Sequence, residues 1–192
     1  PRFCPHAEGH GHGFPKDHPP CFWPRRLAKG IVEDMNFSTG TIANLFWKPL
    51  TRHGDPRGWL LEMFRTDELP AGFSPLMGYV SLTEPGVARG PHEHIGQSDC
   101  FCFIGPSDFE IILWDMRPGS PTHGIIQRER VGASRPMLVI VPPRVIHGYR
   151  NVGDGMGLVY NFPDTLYKGP GRKEPVDEIR HELNPDSPYK MD

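Results

Sequence analysis

The chain has 192 residues, enough for one domain with a sizeable core and a little left over. Its 21 basic and 23 acidic residues give a formal charge of -2, without the basic excess that a nucleic-acid partner would demand. No apolar run approaches the ~20 residues of a membrane span, no secretory signal core precedes a cleavage site, and 22 glycines with 23 prolines exclude long-helix bundles and coiled coils.

Residues 1–38 stand apart. PRFCPHAEGHGHGFPKDHPPCFWP carries His6, His10, His12 and His18 among prolines and glycines, with no usable period. The segment reads as an extended, irregular N-terminal arm lying on the domain or on a partner subunit, in preference to a second metal-binding tract. Pro1 fits removal of an initiator methionine. Cys4 and Cys21 sit in this arm, while Cys100 and Cys102 alternate along one strand face, too close in sequence for easy bridging. Reduced thiols in a cytoplasmic protein are the simplest reading.

Residues 39–192 form the domain. TIANLFWKPL, WLLEMFR, LMGYVSLT, DCFCFI, DFEIILWDM, GIIQRE, PMLVIVP, VIHGYRN and GLVYNF are β-rich runs, separated by turn clusters such as HGDPRG, EPGVARGP, RPGSPTHG and NVGDG. Short strands with regular turn punctuation predict an all-β sandwich or barrel. The helix candidates are short, at TDEL and around VDEIRHEL. Trp59, Trp114 and the phenylalanines read as core, and His123 as a surface turn residue.

The chemistry is concentrated in GVARGPHEHIGQSDCFCFIG. His92 and His94 are two apart, so on a strand they project from one face. Asp99 opens the next strand, expected to pair with theirs, and PPRVIHGYRN later supplies His147. The pattern resembles the two-part signature of the cupin barrel: His-x-His followed by an acid, then Pro142, Arg144 in a glycine place, His147 and Asn151. Three imidazoles and a carboxylate (His92, His94, Asp99, His147) suit a divalent Fe, Mn, Ni or Zn ion. The competing reading is a barrel lined by hydrogen-bonded histidines without metal.

A second resemblance covers residues 55 to 167. DPRGWLLEMF, GVARGPH, WDMRPGSPTHG, PPRVIHG and LVYNFPDTLY, in that order, resemble the dTDP-4-dehydrorhamnose 3,5-epimerase family, an RmlC-like branch of the cupins. The resemblance implies a jelly-roll barrel, assembly as a homodimer, and isomerase chemistry on a keto-sugar or sugar nucleotide. It implies His92 as the base beside the keto group and Tyr160 as the acid on the opposite ring face. Arg57 and Arg89 match diphosphate contacts, and Glu62 and Tyr167 complete the implied substrate-binding set.

Departures are equally plain. The family has glutamine where this chain has His94, and lysine where it has Asp99. Leu60, Met77 and Tyr79 replace residues of the thymidine pocket, which predicts little preference for dTDP over other carriers. The segment whose aspartate orients the base is absent from DEIRHELNPDSPYKMD. Two other functions therefore stand beside the epimerase: a metal-dependent cupin oxygenase, favoured by His94 with Asp99, and a non-catalytic small-molecule binder.

Overall fold

Alternation of apolar side chains along the strand runs dictates two faces to bury, and the fold supplies a layer for each. The computed structural model describes residues 36–192, so the histidine-rich arm proposed for 1–38 lies outside the described residues except at its end. Thirteen strands are described: β1 (Ser38–Thr39), β2 (Phe46–Pro49), β3 (Arg52–Asp55), β4 (Gly58–Leu61), β5 (Tyr79–Thr83), β6 (Ala88–Glu93), β7 (Asp99–Gly105), β8 (Asp108–Asp115), β9 (Ile125–Gly132), β10 (Met137–Val141), β11 (Val145–Asn151), β12 (Gly157–Asn161) and β13 (Ile179–Arg180).

One sheet has the order β1-β9-β8-β11-β6-β13 and the other β2-β10-β7-β12-β5, with β3 and β4 forming a separate hairpin. Strands β5 to β12 alternate between two facing sheets except at the β8–β9 hairpin, the connectivity of a jelly roll. The all-β cupin expectation holds.

Between the sheets lie Phe101, Phe103, Phe109, Ile111, Leu113, Val139, Val141, Val145, Tyr149 and Val159, all buried. The alternate residues of β7 and β10, Cys100, Cys102, Leu138 and Ile140, face the opposite way and are covered by Met63, Phe64, Phe73 and Phe162. The outer face of the six-stranded sheet (Ile112, Trp114, Ile146) is covered by the C-terminal Tyr189 and Met191 and by Phe37. Gly148 permits this last layer, because a Cβ there would lie 2.7 Å from Met191 Sδ and 2.8 Å from the Arg89 carbonyl. Each fully buried Phe or Ile contributes roughly 1.5–3 kcal/mol, so the central layer dominates the stability.

Several expectations need correction. TDEL and the end of VDEIRHEL form only single 3-10 turns, Thr66–Glu68 and His181–Leu183, and Ile179–Arg180 between Asp177 and His181 is a strand. HGDPRG, read as a turn, contributes most of β3 and only its tip turns. Trp59 is 55% exposed on the β4 arm of that hairpin, with the Arg52 guanidinium 5.0 Å over its ring, so it is not core. Asp99 does not open a strand paired with β6. Its strand β7 crosses to the other sheet, so Asp99 faces His92 and His94 across the barrel. Ser38, the last residue of the supposed arm, already pairs in parallel with Ile125, as Thr39 does with Ile126.

Candidate active site

The site forms where β6 and β11 of one sheet face β7 and β12 of the other. His147 of β11 is in register with His92 of β6, so both rings emerge on the inner face. The register shifts between His147 and Tyr149, where β6 carries one extra residue. Gly90 makes that bulge possible: its φ is +82°, and a Cβ there would lie 2.8 Å from the His147 carbonyl oxygen. The result is a group of four residues, His92, His94, Asp99 and His147, each offering a ligand atom within 4.8 Å of the others.

Asp99 is the hub. Its Oδ2 lies 3.0 Å from His147 Nε2 and 3.2 Å from His94 Nε2. Its Oδ1 accepts from Asn161 Nδ2 and from Gln97 Nε2, each at 2.9 Å. Burial alone would raise the Asp99 pKa, but the two histidine contacts outweigh it and hold the carboxyl well below the usual carboxylate range. Burial likewise would lower His94, yet the bond to Asp99 lifts it to about 9. His92 goes the other way: burial first, then the neighbouring His147, push it down to about 2. His92 is therefore a neutral imidazole.

A cavity of about 770 Å³ opens over this group, lined by His92, His94, Tyr79, Tyr167, Glu178 and Arg180 among others. Its cover is the C-terminal segment, in which Ile179 and Arg180 pair with Glu93 and His92. Asp177 anchors that cover. Its carboxylate accepts the backbone N–H groups of Ile95, Gly96 and Gln97, and its carbonyl oxygen contacts His94 Nδ1. Glu178 Oε1 then stands 4.0 Å from His92 Nδ1. On the outer side of β6, Glu93 bonds His181 at 3.0 Å, which ties down the far end of the same segment.

The four residues expected as metal ligands come together, and Tyr167 reaches the cavity rim. The other expected site residues are elsewhere in the chain. Tyr160 packs in the outer layer with Cys100, Cys102, Leu138 and Ile140, so its phenol is turned away from the cavity. The reason is parity: on β12, Val159 and Asn161 point inward and Tyr160 does not. Arg57 is exposed at the β3–β4 turn and forks onto Asp55. Glu62 follows β4 on the exposed surface. Arg89 spends its guanidinium on Thr83 Oγ1 and the Leu82 carbonyl, outside the cavity lining.

Sequence reasoning missed Tyr79, Gln97, Asn161, Asp177 and Glu178. Tyr79 lines the cavity beside the four-residue group, its hydroxyl accepting from Asn161 Nδ2 at 2.8 Å. Burial, with the Asp99 charge behind it, keeps that phenol protonated far beyond neutral pH. A signal for Asn161 existed in the alternation of LVYNF, where Val159 and Asn161 share a face. Asp177 and Glu178 carry no comparable signal, because they reach the site through a long irregular connection.

Comparison with known proteins agrees with the fold. The sequence model of the dTDP-4-dehydrorhamnose 3,5-epimerase family matches residues 39–176. A probable low-salt glycan biosynthesis epimerase, Agl13 of Haloferax volcanii, is 35% identical over 122 residues, 62% of this chain and 77% of that protein. Among solved structures, a dTDP sugar isomerase from Desulfovibrio desulfuricans G20 superposes with a TM-score of 0.66 at 24% identity, over 78% of this chain and 91% of its own. The RmlC epimerase of Legionella pneumophila, solved with dTDP-4-keto-L-rhamnose, gives a TM-score of 0.63 at 22% identity, over 81% of this chain and 85% of its own. The chain belongs to the dTDP-4-dehydrorhamnose 3,5-epimerase family and is an epimerase-type isomerase on an RmlC-like cupin fold.

Proposed function

We propose that the chain epimerises a carbon beside the keto group of a nucleotide-linked sugar, with His92 as the base and Tyr79 as the acid. The observation that carries this reading is that one cavity is lined by an imidazole, His92, and by a phenol, Tyr79. A ketone acidifies the neighbouring C–H, so His92 takes that proton and the electron pair moves into the enolate. The Tyr79 hydroxyl returns a proton to the carbon from the other side, inverting it, and His92 then gives its proton to the resulting phenolate through solvent. Glu178 is placed to stabilise the imidazolium of His92 once it forms.

The donor set of His92, His94, Asp99 and His147 also fits a divalent cation, since it is nitrogen and oxygen from residues that converge within 4.8 Å, and the base role of His92 requires that the other three hold the ion. An ion in that cluster would supply Lewis-acid charge for the ketone oxygen. Assembly as a homodimer is part of the same reading. Val80 and Leu82 leave the outer face of the edge strand β5 apolar and exposed, and Trp59 and Leu60 do the same on the hairpin. A second copy would cover them, and light scattering at working concentration measures this directly. No helix among the described residues is long and apolar enough to cross a membrane, and a cytoplasmic site of action is kept as part of the proposal.

The deciding experiment is solvent deuterium exchange. Incubation of the chain with a dTDP- or UDP-linked 4-keto-6-deoxyhexose in D2O should place deuterium beside the keto carbon, read by NMR. His92→Gln should slow this exchange by about 10²–10⁴-fold. Exchange unchanged in His92→Gln, or absent with every carrier, ends the proposal.

A further inference from the structure

A neutral imidazole carries one N–H and one lone pair, so a partner that only accepts at one ring nitrogen fixes the state of the other. His147 Nδ1 lies 2.9 Å from the Val145 carbonyl oxygen, and His94 Nδ1 contacts the Asp177 carbonyl oxygen. Both Nδ1 atoms therefore donate. With Nδ1 donating, each ring turns its Nε2 toward the same oxygen, Asp99 Oδ2. That convergence needs positive charge among the three groups, either a proton on a ring or a cation between them. Gln97 Nε2 stands 3.2 Å from His94 Nε2, while His147 Nε2 has only Asp99 before it.

The other half of Asp99 is occupied. Asn161 and Gln97 fix Oδ1, which leaves Oδ2 aimed at the two rings, the arrangement that second-shell bonds give a ligating carboxylate. Spacing agrees. Ligands about 2.0–2.2 Å from one ion and roughly 90–109° apart stand about 3.0–3.5 Å from each other. The separations of 3.0 and 3.2 Å fall in that range.

His92 differs in its hydrogen bonding. Among the described residues neither of its ring nitrogens has a hydrogen-bond partner, and the group nearest Nδ1 with charge is Glu178 at 4.0 Å. Its ring lines the cavity wall, as that of His94 does, whereas Asp99 and His147 lie beneath the lining.

We infer that His94, His147 and Asp99 hold one divalent cation as a two-histidine, one-carboxylate site, and that His92 stays off the ion, free for proton transfer. The role of His92 rests on the epimerase reading; the three-residue cation site does not.

The test uses the full chain stripped with chelator and titrated with Co(II), followed by calorimetry and by the visible d–d absorption. Wild type and His92→Gln should each bind one Co(II) with the same spectrum. His94→Gln, His147→Gln and Asp99→Asn should each lose at least about 100-fold in affinity, while far-UV circular dichroism stays that of the wild type. Loss of Co(II) in His92→Gln equal to that in His94→Gln would overturn the three-ligand assignment. Failure of the wild type to bind Co(II) would overturn the ion altogether and leave a proton between Asp99 and His147. Deuterium exchange by the stripped chain separates the two readings. Exchange without Co(II) binding sinks the ion and spares the epimerase, and Co(II) binding without exchange on any carrier does the reverse.

Discussion

Two buried aspartates terminate strands in this fold, and they are solved in opposite ways. Asp115, at the end of β8, is fully buried and meets a fixed cation: Arg117 forks onto it with Nε and Nη2, each at 2.8 Å. The hydroxyls of Ser120 and Thr122 each donate to its Oδ2 at 2.6 Å. Every lone pair of that carboxylate has a donor, and all the donors are permanent. Asp99, at the start of β7, meets amides on one oxygen and two imidazoles on the other, with no arginine or lysine. Imidazoles can lose a proton or exchange it for a metal; a guanidinium cannot. The first arrangement locks the WDMRPGSPTHG segment as scaffold, and the second keeps its charge exchangeable.

The largest effect should come from exchanging each aspartate for asparagine. Asp115→Asn leaves Arg117 half-buried and charged without its fully buried partner, a loss of about 3 kcal/mol and a drop in melting temperature of order 10 °C. Asp99→Asn should cost less than half as much, because His94, lifted by Asp99, can become neutral once that charge is gone. Thermal unfolding of the two variants side by side decides this. Equal losses would mean that the histidine site is as much scaffold as the arginine site.

How far the sequence alone carried this contrast can be read from the same residues. The jelly roll was legible because its strands are short, apolar and punctuated. His92, His94, Asp99 and His147 were legible because a two-residue spacing fixes a shared face and the second motif follows at cupin spacing. The fork on Asp115 was not, since the family motif says that the segment recurs but not what holds it. Tyr160 was misplaced because a resemblance carries a residue type without its parity, and β12 turns Asn161 inward instead. Asp177 and Glu178 depend on a tail that folds back over β6, and no local period announces such a return.

Proton and metal should compete at Asp99 but not at Asp115. In chelator-stripped protein His94 is lifted to about 9, against an ordinary value near 6.5. Its protonated form, facing Asp99 with His92, His147, Asp177 and Glu178 around it, is favoured in the fold. That stabilisation is fully present below about pH 6.5 and is lost as pH rises through about 9. Stability of the stripped chain should therefore decline between those values, and His94→Gln should flatten the decline. Metal affinity should run oppositely, weakening as pH falls, since a protonated ring cannot ligate. A stripped chain whose stability does not change over this window would place no exchangeable proton at His94.

Within the cavity, substitution effects should grade with distance from the reacting carbon. Tyr79→Phe removes the phenol proton and should lower turnover by about 10²-fold. Glu178→Gln should lower it by roughly 10-fold, about 1.4 kcal/mol, and mainly in kcat, because a carboxylate 4.0 Å from His92 Nδ1 matters most once that ring is charged.

Tyr160→Phe should do least. Its ring packs among Cys100, Cys102, Leu138 and Ile140, and phenylalanine keeps that apolar contact while deleting only a hydroxyl turned from the cavity. Turnover should stay within about 2-fold of wild type, since a surface-directed hydroxyl is worth less than about 0.5 kcal/mol. The family resemblance makes the opposite prediction, with Tyr160 as the acid and Tyr79 as a spectator. Measuring both phenylalanine variants under the same conditions therefore tests the parity of β12 through its chemistry. If Tyr160→Phe loses 10²-fold and Tyr79→Phe is silent, the working register of β12 is the other one. Asn161 would then leave Asp99, and the contrast between the two aspartates would lose its second-shell half.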